Sequence, residues 1–200
     1  MVSPVIGNRS SGLQGYAIAQ AAREAGARVT LVSGPVSIVE PAGVKVVRVN
    51  TAEEMLGAVS GALPADIFVA AAAVADWRVD GVGTAKIKKD TVGPPVLKLV
   101  ENPDILSAIA HMSDARPRLV VGFAAETDNL IQNARNKLLR KGCDLIVANS
   151  VATGSTTFGG ASNIVHIVTR EGDEAWSEMS KLEVARRLIG RLKQLLDNHI

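Results

Sequence analysis

The chain has 200 residues, of which 47% are hydrophobic and 21% charged, and its net charge is +2. This length and composition are typical of one soluble globular domain, so residues 1–200 are predicted to form a single domain. The balanced charge argues against nucleic acid, and no apolar run approaches the ~20 residues that would cross a membrane. The single cysteine, Cys143, excludes an internal disulfide, and with no signal-peptide pattern at the start it indicates a cytoplasmic location.

Apolar segments alternate along the chain between helical and strand patterns. Residues 13–26 are rich in alanine and end in glycine, which predicts a helix. Thr51 and Glu54 form a capping box, and Ser180 and Glu183 form another that opens a last helix ending near residue 198. Further predicted elements are strands at 27–34, 44–49, 66–74, 118–126 and 144–150, helices at 51–63, 102–112 and 129–142, and a hairpin at 163–179 turning at 171–173.

Strands that alternate with helices predict a mainly parallel sheet covered on both faces. The expected fold is α/β, a Rossmann-like three-layer arrangement with a protruding β-hairpin arm and a C-terminal hairpin plus helix. Residues 66–74 are almost continuously apolar, so that strand is expected to be buried on both faces. Ligands of such sheets bind beyond the carboxyl ends of the strands. These positions follow Gly34, Asn50, Val74, Glu126 and Asn149.

A lysine-rich arm follows the third of these positions. Residues 83–104 contain Lys86, Lys88, Lys89 and Lys98. Lysines on an exposed edge strand prevent aggregation, which is one explanation of the arm. The other explanation is that the arm binds a polyanionic ligand at the carboxyl edge of the sheet.

Two helix starts offer backbone N–H groups to an anion. The segment "NRSSGLQG", residues 8–15, leads into the first helix, and a serine-capped helix start explains it equally well. Asn102 is the predicted N-cap of a later helix, with Pro103 at its first position.

The helix predicted at 129–142 adds basic residues. Lys137 and Lys141 border its apolar stripe and can direct their ammonium groups toward the sheet edge, whereas Arg135 and Arg140 are expected to point elsewhere. Taken alone, these lysines are best explained as an ordinary solvated helix face.

Dinucleotide-dependent oxidoreductases share this fold class, but their motifs are not found. Gly12 and Gly15 do not make a G-x-G-x-x-G loop, and Ser33 ends a strand where a ribose-binding acid is required. Tyr16 has Gln20, not lysine, four residues later. An NADP-dependent oxidoreductase is therefore kept only as an alternative.

Seven short motifs occur in one order: "NRSSGLQG", "VTLVSGPVS", "AAAVADWR", "KIKK", "ENPDIL", "VGFAAET" and "DLIVAN". Together they resemble the phosphopantothenate–cysteine ligase family, in the bacterial form that is usually fused behind a flavin-dependent decarboxylase. The resemblance covers the chain from Asn8 onward.

The resemblance implies a homodimeric ligase of coenzyme A biosynthesis that uses CTP with Mg²⁺, and no flavin in this domain. Phosphopantothenate would be activated as an acyl-cytidylate with release of pyrophosphate, and cysteine would then displace CMP. Asn8 would act in acyl transfer, and Lys86 at the α-phosphate. The residues implied to line the CTP site are Ala70, Ala71, Ala72, Asp76, Lys86, Asn102, Pro103, Asp104, Ile105, Phe123, Lys137 and Lys141. The magnesium ligands are not implied.

The start of the chain departs from the family. The family begins with a central strand, a Gly-rich loop and an acidic "E-x-x-D-P-V-R" segment, whereas this chain opens "MVSPVIGNRSSG". Ala161 also stands where an aspartate is common. Without the first strand, stability and phosphopantothenate binding come into question, and a non-catalytic nucleotide-binding or dimerisation module is the second alternative.

Overall fold

The computed structural model describes residues 10–81, 96–150 and 162–198. Its helices are α1 (Leu13–Glu24), α2 (Ala52–Ser60), α3 (Ile105–Ala110), α4 (Leu130–Lys141) and α5 (Lys181–Asp197). Its strands are β1 (Thr30–Ser33), β2 (Lys45–Arg48), β3 (Ile67–Ala70), β4 (Trp77–Val79), β5 (Leu99–Glu101), β6 (Leu119–Glu126), β7 (Leu145–Ser150), β8 (Ser162–Asn163), β9 (Val165–Val168), β10 (Asp173–Ala175) and β11 (Met179–Ser180).

The main sheet has the order β10-β9-β7-β6-β3. Strands β3, β6 and β7 are parallel, with Val69 opposite Val121 and Val121 opposite Leu145. Strand β9 runs antiparallel to both β7 and β10. Strands β1 and β2 form a separate parallel pair, and in the described part of the chain β1 does not pair with β3. The predicted mainly parallel α/β fold is confirmed.

Helices cover both faces of the sheet. On one face, Ile18 of α1 and Leu188 of α5 pack with Val121 of β6. On the other face, α2, α3 and α4 pack on the sheet, and Val120 of β6 contacts this second cluster. Because side chains alternate along a strand, neighbouring valines of β6 serve opposite layers. The three-layer arrangement follows from this alternation.

The base of the predicted arm is an antiparallel pair of β4 and β5. The backbone N–H of Asp80 donates to the carbonyl of Lys98 at 2.8 Å, and the Lys98 ammonium pairs with the Asp80 carboxylate at 2.8 Å. Lys98 therefore belongs to the exposed base of the arm. Lys86, Lys88 and Lys89 lie outside the described residues.

The C-terminal hairpin and helix are as predicted, with one shift. The hairpin is formed by β9 and β10, and Asp173 already belongs to β10 rather than to the turn. Both capping boxes are present, at Thr51 with Glu54 and at Ser180 with Glu183. Within the described ranges, none of the helices combines the length and apolarity needed to cross a bilayer.

The strand predicted at 66–74 is shorter and less buried than expected. Strand β3 ends at Ala70, and its four residues are all half-buried. Strand β6, with neighbours on both sides, is fully buried from Leu119 to Gly122. The difference arises because β3 has a described neighbour only on its β6 side.

Two helix starts also differ from the predictions. Asp104, not Asn102, is the N-cap of α3, and its carboxylate accepts from the backbone N–H of Ser107 at 3.0 Å. The Asn102 side chain is engaged elsewhere, and Pro103 precedes the helix. Helix α1 has Gly12, not a serine, at its N-cap, in the left-handed conformation. The hydroxyls of Ser10 and Ser11 still accept from the backbone N–H groups of Gly12 and Leu13, at 3.4 and 3.5 Å.

Candidate functional site

A cavity of about 1570 Å³ runs along β1 and β3 and reaches the carboxyl end of the parallel strands. This is the edge at which open α/β sheets bind ligands. At this edge its walls come from the end of β3 and the segment after it, the start of α3, and one face of α4; farther in, α1, β1 and β3 line it. The residues predicted for the site that line this cavity are Ala70, Ala71, Ala72, Asp76, Asn102, Pro103, Asp104, Ile105, Phe123, Lys137 and Lys141.

Helix α4 directs Lys137 onto the sheet edge. The ammonium nitrogen of Lys137 donates to the carbonyl oxygen of Phe123 at 2.6 Å, and the side chain is half-buried. Burial lowers the pKa of this ammonium, and the nearby positive charge of Lys141 lowers it further. An anionic ligand would offset both effects. The interpretation of this lysine as part of a solvated helix face is wrong.

The second lysine of α4 joins two walls of the cavity. The ammonium of Lys141 pairs with the Asp104 carboxylate at the start of α3. Burial alone would raise the pKa of Asp104, but the bonds from Lys141 and from the Ser107 N–H outweigh it and hold that pKa below its usual value. A ligand that binds the Lys141 ammonium must therefore compete with the Asp104 carboxylate or accept from the ammonium protons that do not bond to Asp104.

Arg140 also lines the cavity, contrary to the prediction that it points elsewhere. It lies three residues after Lys137 and one before Lys141. On a helix, positions i, i+3 and i+4 share a face, so the sequence contained the signal for this third cation. Arg135, in contrast, does point elsewhere, because it bonds to Asp173 at 2.7 Å.

Asn102 ties the start of α3 to the segment that follows β3. Its side-chain amide donates to the carbonyl of Ala75 at 2.8 Å, and its backbone N–H donates to the carbonyl of Asp76 at 2.8 Å. Among the described residues its side-chain oxygen, which is buried, has no hydrogen-bond partner. Because buried polar atoms are normally paired, this oxygen is suited to accept from a donor group of a ligand.

The first turn of α1 forms the opposite wall. Gly15 lies so close to the segment after β3 that a Cβ added there would be 3.8 Å from the Cβ of Ala71. The hydroxyl of Tyr16 is buried against that of Ser33 at 3.1 Å, which fixes α1 on the end of β1. This contact gives Tyr16 a structural role.

Other predicted groups are not placed. Asn8 and Lys86 lie outside the described residues, so their roles remain predictions. Cys143 is fully buried, and burial raises its pKa to about 11. Within residues 10–81, 96–150 and 162–198, no group of three or more His, Cys, Asp or Glu side chains is arranged to hold a metal ion.

Comparisons with known proteins place this geometry in a family. Residues 4–196 match the model of the DNA/pantothenate metabolism flavoprotein C-terminal domain. The chain is 45% identical over 208 residues to the coenzyme A biosynthesis bifunctional protein CoaBC of Mycobacterium bovis, covering 98% of this chain and 50% of that protein. It is 48% identical over 172 residues to CoaBC of Escherichia coli K12, covering 84% and 42%. The chain thus spans about half the length of these curated relatives.

Solved structures agree. The C-terminal domain of CoaBC is similar with a TM-score of 0.78 and 34% identity, over 96% of this chain and 86% of that one. A DNA/pantothenate metabolism flavoprotein of Streptococcus pneumoniae shares the fold, with a TM-score of 0.76, 18% identity and coverage of 96% and 95%. These relationships favour neither the oxidoreductase nor the non-catalytic module. The match over nearly the whole chain, with the fold and the identity to CoaBC, shows that the chain belongs to the DNA/pantothenate metabolism flavoprotein C-terminal domain family.

Proposed function

We propose that this chain is the ligase half of a coenzyme A biosynthesis protein and joins 4′-phosphopantothenate to cysteine with CTP. The observation that carries the proposal is the set of three cations on one face of α4, at the cavity of a chain 45% identical to CoaBC. A triphosphate is the kind of ligand that such a cluster attracts. The choice of CTP rests on the family resemblance of the motifs.

The three cations suit different parts of a triphosphate. Lys137 and Lys141 act as point charges, whereas the planar guanidinium of Arg140 can bind two phosphate oxygens at once. The side-chain oxygen of Asn102, which has no partner within the described ranges, suits an exocyclic amino group of the base. The small side chains of Ala71 and Ala72 leave room beside the sheet edge.

The proposed reaction has two steps. A carboxylate oxygen of phosphopantothenate bonds to the α-phosphorus of CTP, and pyrophosphate leaves. The amine of cysteine then attacks the acyl carbon, loses a proton, and expels CMP to leave an amide. Lys86 would stabilise charge at the α-phosphate, and the Asn8 amide would donate to the oxyanion of the second step. Mg²⁺ bound by the triphosphate would neutralise part of its charge.

The partners follow from the relatives' length. Since CoaBC is about twice as long as this chain, we propose that a flavin-dependent decarboxylase is the other half, fused to or associated with it, and that the ligase is a cytoplasmic homodimer. The flavin would belong to that other half, not to this domain.

The test is pyrophosphate release with each of the four nucleoside triphosphates, with and without phosphopantothenate and cysteine. We expect release only with CTP plus phosphopantothenate, and amide product only after cysteine is added. Nucleotide binding without pyrophosphate release would contradict the proposal in favour of a binding module. A nicotinamide-dependent absorbance change would contradict it in favour of an oxidoreductase.

A matched pair of variants tests the cation cluster. Arg140→Ala should weaken CTP binding about fivefold, the scale of roughly 1 kcal/mol for a partly exposed ion contact. Arg135→Ala, on the same helix but bonded to Asp173, should leave CTP binding unchanged. Equal effects of the two substitutions would remove Arg140 from the site.

A further inference from the structure

Helices α3 and α4, which both line the cavity, end at the guanidinium of one arginine, Arg116. The last carbonyls of a helix have no partner inside it, so they need a donor from elsewhere. Nε of Arg116 donates to the carbonyl of Ala110, the last residue of α3, at 2.8 Å. Nη2 donates to the carbonyl of Gly142, the C-cap of α4, at 3.4 Å. A single side chain thus joins the two helix ends.

The same guanidinium is bound to the sheet. Nη2 contacts both carboxylate oxygens of Asp144, at 3.1 and 3.0 Å, and Nη1 donates to the carbonyl of Pro117 at 2.9 Å. The Asp144 carboxylate also accepts from the backbone N–H of Val120 in β6 at 2.7 Å, and Asp144 directly precedes β7. Arg116 therefore fixes the ends of α3 and α4 to the starts of β6 and β7.

Negative charge from three sources surrounds this cation. The carboxyl end of a helix carries a partial negative charge, and α3 and α4 both end beside the Asp144 carboxylate. The side chains of Arg116 and Asp144 are only 27% and 33% exposed, so their ion pair is screened less than an open surface pair. A planar guanidinium with five N–H donors can serve all these acceptors, whereas the single ammonium of a lysine cannot.

The backbone before Arg116 and the packing beside it are both constrained. Ala115 has a φ of 57°, in the left-handed region that persists in a non-glycine residue only where surrounding contacts enforce it. The ring of His111, the C-cap of α3, lies so close to Gly142 that an added Cβ there would be 2.8 Å from Cε1 and Nε2. Nδ1 of His111 lies 2.9 Å from the carbonyl of Ser107, one turn earlier. The ends of α3 and α4 are therefore in direct contact as well as bonded to one arginine.

The contact between these helix ends determines where a cavity lysine lies. Lys141 is the last residue of α4 and directly precedes Gly142. Its ammonium pairs with Asp104, the N-cap of α3, so the two helices are joined by this pair at the cavity and by Arg116 at their ends. Helix α3 has only six residues, and so short a helix is held in place by tertiary contacts. Loosening the contacts of Arg116 would therefore shift Lys141 relative to the cavity.

We propose that Arg116 is a positioning residue of the nucleotide site, which holds the Lys141 ammonium in place for phosphate by fixing the ends of α3 and α4. Arg116 itself does not line the cavity, so its effect on ligand binding passes through Lys141. The identity of the anion as the triphosphate of CTP rests on the proposed function. Inorganic triphosphate, which needs only the cations, tests the positioning separately.

The test is a double-mutant cycle on the binding of inorganic triphosphate and of CTP, measured by calorimetric titration of the full 200-residue chain. Arg116→Lys keeps the positive charge and removes the planar fork. It should weaken binding of both ligands about fivefold, but by less than about twofold in the Lys141→Ala background. Arg118→Lys is the matched control, because Arg118 donates to the carbonyl of Leu196 in α5, at 3.0 Å. It should leave both affinities unchanged.

Melting temperatures separate positioning from folding. A lower melting temperature of Arg116→Lys with unchanged affinities would show that Arg116 only stabilises the fold, and the proposal would be overturned. An equal loss of affinity with and without Lys141 would also overturn it, because Arg116 would then not act through that lysine. If Arg116→Lys does not fold, Asp144→Asn takes its place in the cycle. It keeps an acceptor for the Val120 N–H but loses the charge opposite Arg116, and it should weaken binding in the same Lys141-dependent way.

The ligands distinguish this proposal from the proposed function. Lys141-dependent binding of triphosphate without release of pyrophosphate from CTP would contradict the ligase and support the role of Arg116. Pyrophosphate release with an affinity that Arg116→Lys does not change would support the ligase and overturn the role of Arg116. Failure of the unsubstituted protein to bind either ligand would overturn both.

Discussion

Gly122 lies where α3 packs most closely on β6, and we expect Gly122→Ala to destabilise the fold. A Cβ at this position would lie 2.6 Å from Cδ2 of Leu106 and 2.7 Å from Cδ1 of Ile146. Carbon atoms in contact normally lie about 3.5–4.0 Å apart, so both side chains would have to move by roughly 1 Å. Leu106 and Ile146 are buried in a close-packed cluster with little room to rotate.

Overpacking of this kind typically costs about 1–3 kcal/mol. For a chain of this size each kcal/mol shifts the melting temperature by about 2–4 °C, so a decrease of roughly 2–12 °C is expected. Because α3 begins at Ile105, displacement of Leu106 also moves the Asp104 end of the cavity, and the KM for CTP should rise. Thermal unfolding and steady-state kinetics measure the two effects.

Gly190→Ala is the matched control. Gly190 lies inside α5, and an added Cβ there would have nothing within 4 Å. The same substitution should therefore stabilise the protein by about 0.5–1 kcal/mol, the helix preference for alanine over glycine. A Gly122→Ala melting temperature at or above that of the parent would refute the argument from close packing.

Three predictions concern the site. Lys137→Ala should raise the KM for CTP more than it lowers kcat, and the effect should be smaller at high salt. Because the pKa of Lys137 is lowered, this lysine loses its charge at a lower pH than an ordinary lysine does. The affinity of the unsubstituted protein for CTP should therefore begin to fall at a correspondingly lower pH. Lys86→Gln should lose on the order of 10²-fold in acyl-cytidylate formation, whereas Lys88→Gln should change it little; equal pyrophosphate release in both would remove Lys86 from the first step. Asn8→Asp should keep pyrophosphate release and accumulate acyl-cytidylate, detected by mass spectrometry of quenched reactions; loss of pyrophosphate release with CTP still bound would assign Asn8 to the first step.

The elements that could be predicted from sequence are those with strong local signals. The capping boxes at Thr51 and Ser180 fix their helices because the side chains bond within one turn. The apolar runs around Val121 and Ile146 predict buried parallel strands, and both strands have neighbours on each side. Local patterns suffice where tertiary contacts only reinforce them.

The errors arise where a distant residue decides the local structure. Asn102 has good N-cap chemistry, yet its amide bonds to Ala75, and Asp104 takes the cap instead. Sequence predicts which residue types can cap, but not which competing partner lies nearby. Likewise, the apolar pattern of residues 66–74 predicts a strand buried on both faces. Burial of a strand depends on the strands beside it, and the apolar pattern does not contain that information.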